Sequence, residues 1–147
     1  MFYELLYSST CVSPHMNTSD LERILKGARK NNLANNITGM LLYYKGEFVQ
    51  LIEGSRESVK YIFKNFILKD KKHTGINVIF EGYIISRSFK DWSMGFSGDD
   101  EPQEEAYLST ARLLMNMMSE DAKKNPKTLG VAGMIAAYDQ MRKSPYR

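Results

Sequence analysis

One cysteine, Cys11, stands in 147 residues, and no apolar run approaches the 18 residues that would suggest a membrane span. A lone thiol excludes an internal disulfide framework, and a reduced, intracellular setting is the simpler expectation. The opening MFYELLYSST is too short and too polar for a signal peptide, so the expected location is cytoplasmic, with no membrane partner. Charge of one sign is missing too. Twenty Lys and Arg against 17 Asp and Glu leave a formal net charge of +3, spread along the chain. That spread offers no footprint for nucleic acid or a lipid surface. His15 and His73 lie far apart, and with one Cys there is no metal cluster, so no metal is expected. Neither G-x-G-x-x-G nor G-x-x-x-x-G-K-[ST] occurs, and no Ser-His-Asp or Cys-His order suggests itself.

What remains is an ordinary globular composition, 43% hydrophobic and 25% charged, long enough for one domain with an appendage. FYELLYSS (2–9) reads as a strand, followed by a polar loop and a helix that Thr18 or Ser19 caps, with Glu22 completing a capping box from Ser19. Leu21, Ile24, Leu25 and Ala28 give that helix its apolar face. ITGMLLYY (37–44), the two-residue turn Lys45-Gly46 and GEFVQLIE form a hairpin that Gly54 ends. A second helix covers about 56–69, with Val59, Ile62, Phe63, Phe66 and Ile67 inward; 76–86 is strand-rich, and FKDWSMGF (89–96) reads as a last strand. The order β-α-β-β-α-β-β predicts a ferredoxin-like α+β domain, a largely antiparallel sheet with two helices on one face. The acidic stretch SGDDEPQEE (97–105) reads as a linker. Beyond it, Tyr107, Leu108, Ala111, Leu114, Met115 and Met118 predict one helix and Val131, Met134, Ile135 and Tyr138 a second. This pair is expected to cover the free sheet face, because an open apolar face invites aggregation. The predicted organisation is a core over 1–96 and a linker with a helical extension over 97–147.

Polar residues interrupt the apolar pattern on one side of this layout. The inward positions after Ala28 are Asn31 and Asn32; Gln50 shares its strand face with Phe48 and Ile52, and Tyr7 shares its own with Tyr3 and Leu5. A buried amide or phenol without a partner costs about 1–3 kcal/mol. Two readings stand at this point. Asn31 and Asn32 end the helix, Gln50 faces water on an edge strand, and Tyr7 is plain core. Alternatively, the four line a polar-walled slot between the helices, holding a flat ligand whose faces pack on Ile24 and Ile67.

Several linked pieces resemble one family: LLYSS with Tyr7 and Ser8, ARKNNLANNITGMLLYYKGEFVQLIEG with Asn31, Asn32 and Gln50, the D-x-x-H-T segment at 70–74, and FKDWSMGF with Trp92 and Met94. Together, over residues 2 to 96, they are similar to the BLUF domains, sensors of blue light using flavin. The resemblance implies an FAD between the two helices, with FMN or riboflavin able to substitute, its ring sandwiched by Ile24 and Ile67. It implies that Asn32 binds the C4 carbonyl and N3 edge with Asn31 nearby, that Lys72 stands where the family usually has an Arg reaching the C2 carbonyl, and that His73 and Asp70 match the family's histidine and acidic neighbour. It further implies that Gln50 bridges Tyr7 and the flavin, that excitation draws an electron and then a proton from Tyr7, and that Gln50 rearranges, shifting absorption to the red. Ser8, Trp92 and Met94 are implied to carry the signal.

With no effector domain expected, the output is a protein partner in trans, alongside self-association into a homo-oligomer, and no enzymatic activity. Two alternatives belong to other classes. An RNA-recognition domain shares the β-α-β-β-α-β order, but GEFVQLIE lacks its aromatic strand and basic start. A small flavin-dependent oxidoreductase would need a group for substrate activation, and none is evident.

Overall fold

In the computed structural model the described residues are 1–13, 18–89, 95–98, 132–137 and 140. The chain alternates between the two regular periods. β1 (Phe2–Cys11) leads to α1 (Thr18–Ala34), then to β2 (Thr38–Tyr44) and β3 (Glu47–Gly54). α2 (Arg56–Ile62) continues into a π-helical turn, Phe63–Ile67, and β4 (His73–Ile84) and β5 (Gly95–Gly98) complete the order. The five strands lie side by side as β4-β1-β3-β2-β5. All pairings are antiparallel except β2 with β5. The fold is ferredoxin-like α+β.

The hairpin is set by its turn. Tyr44 pairs with Glu47, so two residues connect the strands, and both take positive φ, Lys45 at 43° and Gly46 at 85°. That is the backbone a tight right-twisted hairpin needs. Residues of alternate parity then fill two cores. Tyr3, Leu5, Tyr7, Leu41, Tyr43, Phe48 and Ile52 pack with Leu25, Val59, Ile62 and Ile67 of the helical layer. Leu6, Met40, Leu42, Val49 and Leu51 pack with Phe89 and Met134 on the other face. Residues 132–137 are helical and Met134 is fully buried, so this segment covers the second face as the patterning predicted. The helix read over 107–118 lies outside the described residues.

Several sequence expectations are revised. α1 already includes Thr18 and Ser19, so its cap position precedes both and falls outside the described residues. α1 ends at Ala34 and is closed by Asn36, not by Asn31 or Asn32. Asn36 adopts φ 55°, its N–H reaches the Leu33 carbonyl, and the Ile37 N–H reaches the Asn32 carbonyl at 2.8 Å, a Schellman closure. β4 begins earlier than expected, at His73. β5 is described over 95–98, where it pairs in parallel with β2 at the sheet edge, and Phe89 is a core residue outside any strand. The second helix departs from α geometry at Phe63, where the Leu68 N–H bonds the Phe63 carbonyl five residues back. This wider turn keeps Ile62 and Ile67 inward and moves Phe66 to a half-exposed rim. Glu4 and Glu53 are fully buried and directly opposite each other on β1 and β3.

Candidate functional site

The polar interruptions converge. A cavity of about 290 Å³ opens between α1 and the π-helical turn, over the inner face of β1, β2 and β3. Its walls include Tyr7, Ile24, Asn31, Asn32, Gln50, Ile67, Asp70, Lys72 and His73. Every residue assigned above to a ligand slot therefore borders one space. Each arrives there for a local reason. Ile24, Asn31 and Asn32 extend the inward stripe of α1 at helical spacing, and closing the helix four residues later leaves both Asn side chains on that stripe. Tyr7 and Gln50 are direct cross-strand partners on β1 and β3, so they share a face. The π-helical turn brings Ile67 in opposite Ile24.

Tyr7 is buried and donates its phenolic hydrogen bond to Gln50 Oε1. The phenol ring lies edge-on to Phe63 and His73, with centroids 5.9 and 6.2 Å away. Burial, and after it the negative charge of Asp70, push the Tyr7 pKa well above the ordinary 10.0. The phenol is thus a proton-bearing donor throughout the physiological range. Gln50 is also buried, and its position next to Phe48 and Ile52 makes it the polar centre of an apolar strand face.

His73 braces the cavity floor. Its Nε2 lies 2.8 Å from the Ile67 carbonyl and its Nδ1 2.8 Å from Ser9 Oγ. A carbonyl only accepts, so Nε2 carries a proton and donates to Ile67, while Nδ1 shares a hydrogen bond with the Ser9 hydroxyl. Asp70 and Lys72 stand at the exposed mouth, where the Lys72 N–H bonds Asp70 Oδ1 at 2.9 Å. A second cavity of about 270 Å³, lined by Cys11, Ser13 and Asp20, shares Arg23, Ile24 and Lys72 with the first.

Ser8 sits on the strand face of Leu6, opposite Val49 and turned away from Tyr7. The hydroxyl on the cavity side is that of Ser9, which sequence reading passed over because SS offers no way to choose between neighbours. Arg23, Leu41, Phe48 and Phe66 also border the cavity without having been singled out. Trp92 and Met94 lie outside the described residues. Among the described residues no group of three or more His, Cys, Asp or Glu is placed to hold a metal ion. Among the same residues no helix is long and apolar enough to cross a membrane.

Comparison with known proteins converges on one description. A domain family of sensors of blue light using FAD, BLUF, matches residues 2–95. The photoactivated adenylate cyclase subunit alpha of Euglena gracilis is 34% identical over 119 residues, which cover 81% of this chain and 11% of that protein. This chain therefore spans about a ninth of that relative's length. Among solved structures, a bacterial light-regulated adenylyl cyclase is 37% identical with a TM-score of 0.67, covering 79% of this chain and 34% of that one. The dark-state structure of BlrB, a BLUF protein, is 29% identical with a TM-score of 0.65, covering 93% of this chain and 96% of that one.

Proposed function

Because this chain belongs to the BLUF family of blue-light sensors, we propose that the cavity between α1 and the π-helical turn holds the flavin and that the Tyr7–Gln50 pair is its photochemical switch. The donor set suits that ligand. Two apolar walls, Ile24 and Ile67, flank a space edged by three carboxamides, which present both donors and acceptors to a flat heteroaromatic ring. Asn32, buried at 2% exposure, would hold the ring's polar edge with Asn31 beside it, and Lys72 would reach it from the mouth. Arg23 and Lys72 place two cations where the two cavities join, a setting that suits a phosphate-bearing flavin such as FAD.

Flavin supplies the absorption of blue light and, when excited, an acceptor for one electron. The chain supplies the rest. Tyr7 is an oxidisable phenol, and the loss of an electron makes its Oη proton strongly acidic. The proton already points at Gln50 Oε1. Rotating the Gln50 amide, or moving a proton onto its oxygen, exchanges donor for acceptor at both ends of the side chain. In a buried, low-dielectric site one such exchange alters the whole hydrogen-bond pattern. The observation that carries this reading is the direct Tyr7–Gln50 hydrogen bond at the wall of the cavity.

Signal leaves through the far side of the sheet. In sequence, Trp92 and Met94 lie between Phe89, in the second core, and β5, which pairs with β2. We assign to this stretch, with Ser8 on the same sheet face as Phe89, the transmission of the change to a protein effector in trans and to contacts between copies of the chain. No turnover is assigned to the chain itself. The RNA-recognition alternative loses ground because, among the described residues, 132–137 packs on the sheet face opposite the helices, where bases would have to stack. An absorption spectrum before and after blue light tests the proposal. A reversible red shift is expected; a colourless protein, or a yellow one that only bleaches, would overturn it.

A further inference from the structure

Glu53 lies three residues beyond Gln50 on β3, so the two side chains leave the strand on opposite faces, about 10 Å apart along it. Gln50 borders the cavity; Glu53 is fully buried on the other side. Its carboxylate is spent almost entirely on one loop. Oε1 accepts from the Phe89 N–H at 2.6 Å and from Thr38 Oγ1 at 3.1 Å, and Oε2 accepts from the Ser88 N–H at 2.8 Å. Arg87 tightens the same junction. Its guanidinium donates to the Glu53 carbonyl at 3.2 Å, to Thr38 Oγ1 at 3.0 Å and to the Asn36 carbonyl at 2.7 Å. Asn36 closes α1, the helix that carries Asn31 and Asn32 to the cavity. The three residues 87–89 are therefore fastened to the ends of α1, β2 and β3, all of which wall the cavity. Phe89, next along, is fully buried in the second core together with Met134.

We propose that Glu53 is a positioning residue for signal output: it ties the strand bearing Gln50 to the backbone of Ser88 and Phe89, and through Phe89 to helix 132–137. This rests on the photoreceptor reading above. Seating Phe89 needs only apolar neighbours, which Met40, Leu42 and Leu51 provide. A buried carboxylate does something different, because it fixes two consecutive backbone N–H groups to one strand end. A shift of that end then moves the loop instead of being absorbed by repacking. Burial raises the Glu53 pKa, opposed by the N–H groups of Phe89 and Ser88, by Thr38 and by the charge of Arg87. Those four opposing groups are the ones that bind the loop. Glutamine cannot replace the carboxylate here. It offers one oxygen, and its NH₂ would face a backbone donor.

The test uses the full chain loaded with FAD, in Glu53→Gln and Arg87→Ala variants. Dark and illuminated samples are compared by absorption and by amide hydrogen exchange at 84–89 and 132–137. The wild type is expected to show the red shift together with a light-dependent change in exchange at both segments. Glu53→Gln is expected to keep the red shift at its wild-type size, since Gln50 lies on the other face, and to lose the light-dependent change at 132–137. Arg87→Ala, altered at a half-buried side chain, is expected to do the same in part, and it decides the matter if Glu53→Gln does not fold. Wild-type exchange behaviour in whichever variant decides, or a wild-type red shift with no exchange change at either segment, would overturn the proposal. A wild type with no red shift at all would instead sink the photoreceptor reading, and this inference with it.

Discussion

Tyr7 and Gln50 face each other across β1 and β3 as registered partners, and the phenol of one donates to the amide oxygen of the other at the cavity wall. The register continues unbroken from Tyr3–Gly54 to Thr10–Glu47, so this contact is fixed by the sheet ladder and not by side-chain chance. The switch is thereby built on two paired central strands, while Asp70 and Lys72, which contact solvent, sit on the connection to β4.

Tyr7→Phe removes the donor and keeps the ring. The variant is expected to bind flavin, to lose the light-induced red shift, and to lose about 0.5–1.5 kcal/mol of stability, the net worth of one hydrogen bond. Gln50→Leu is expected to abolish the shift as well. Difference spectra and urea denaturation check both. A persisting shift in either variant would refute the assigned pair.

Asn32→Ala removes a buried amide from the cavity wall. Flavin affinity is expected to fall about tenfold, equivalent to roughly 1.4 kcal/mol. Asn35→Ala, just past the end of α1 and outside the cavity lining, is expected to bind as the wild type does. Fluorescence titration of the apoprotein compares the two, and equal losses would remove Asn32 from the site.

The raised pKa of Tyr7 has a definite sign. An unfolded tyrosine ionises near 10.0, while the folded phenol holds its proton beyond that. The stability this represents is fully present below pH 10 and is lost as pH climbs above it toward the folded value. The red-shift amplitude is therefore expected to stay level through pH 10, and alkaline unfolding is expected to be softened in Tyr7→Phe. Ultraviolet titration at the tyrosinate band follows Tyr7 directly by comparison with that variant. Ionisation of Tyr7 at pH 10 in the folded protein would contradict the geometry.

Gly39 on β2 has no room for a methyl group. A Cβ there would collide with the Leu51 carbonyl oxygen on the neighbouring strand, and backbone cannot swing aside as a side chain can. Gly39→Ala is expected to cost about 3 kcal/mol or more, at or beyond the upper end of ordinary overpacking. A midpoint in urea close to wild type would show that β2 and β3 can separate at low cost.

Met134→Ala tests the cover on the second face. The side chain is fully buried against the sheet, so its truncation is expected to destabilise the protein by about 2–5 kcal/mol. Thermal unfolding reads the effect. Little change would mean that 132–137 contributes no packing to the core.

Much of the candidate site is legible in the sequence. The i, i+3, i+4 stripe of α1 led from Ile24 to Asn31 and Asn32, and strand alternation put Gln50 and Tyr7 inward, because both periods are local geometry. The bland reading, in which two asparagines simply end the helix, failed for a reason only folding could disclose. Asn35 and Asn36 follow in the same sequence, and Asn36 takes the left-handed position instead. Ser9, on the Tyr7 side of β1, does not stand out in the sequence, because neighbouring serines differ only in which face the strand register gives them.

From the sequence alone came the element order, the ferredoxin-like class, and the membership of one inward polar set, since each depends on spacing within a single strand or helix. The structure decided what depends on residues distant in the chain. It buried Glu53 beneath the loop at Ser88 and Phe89, 35 and 36 residues away. It set β5 parallel to β2, widened the second helix into a π-helical turn that aims Ile67 at the cavity, and bound His73 to Ser9. Hydrogen bonds and close packing between remote segments choose among local options that the sequence leaves nearly equal in energy, and for that reason these features emerge only once the chain is folded.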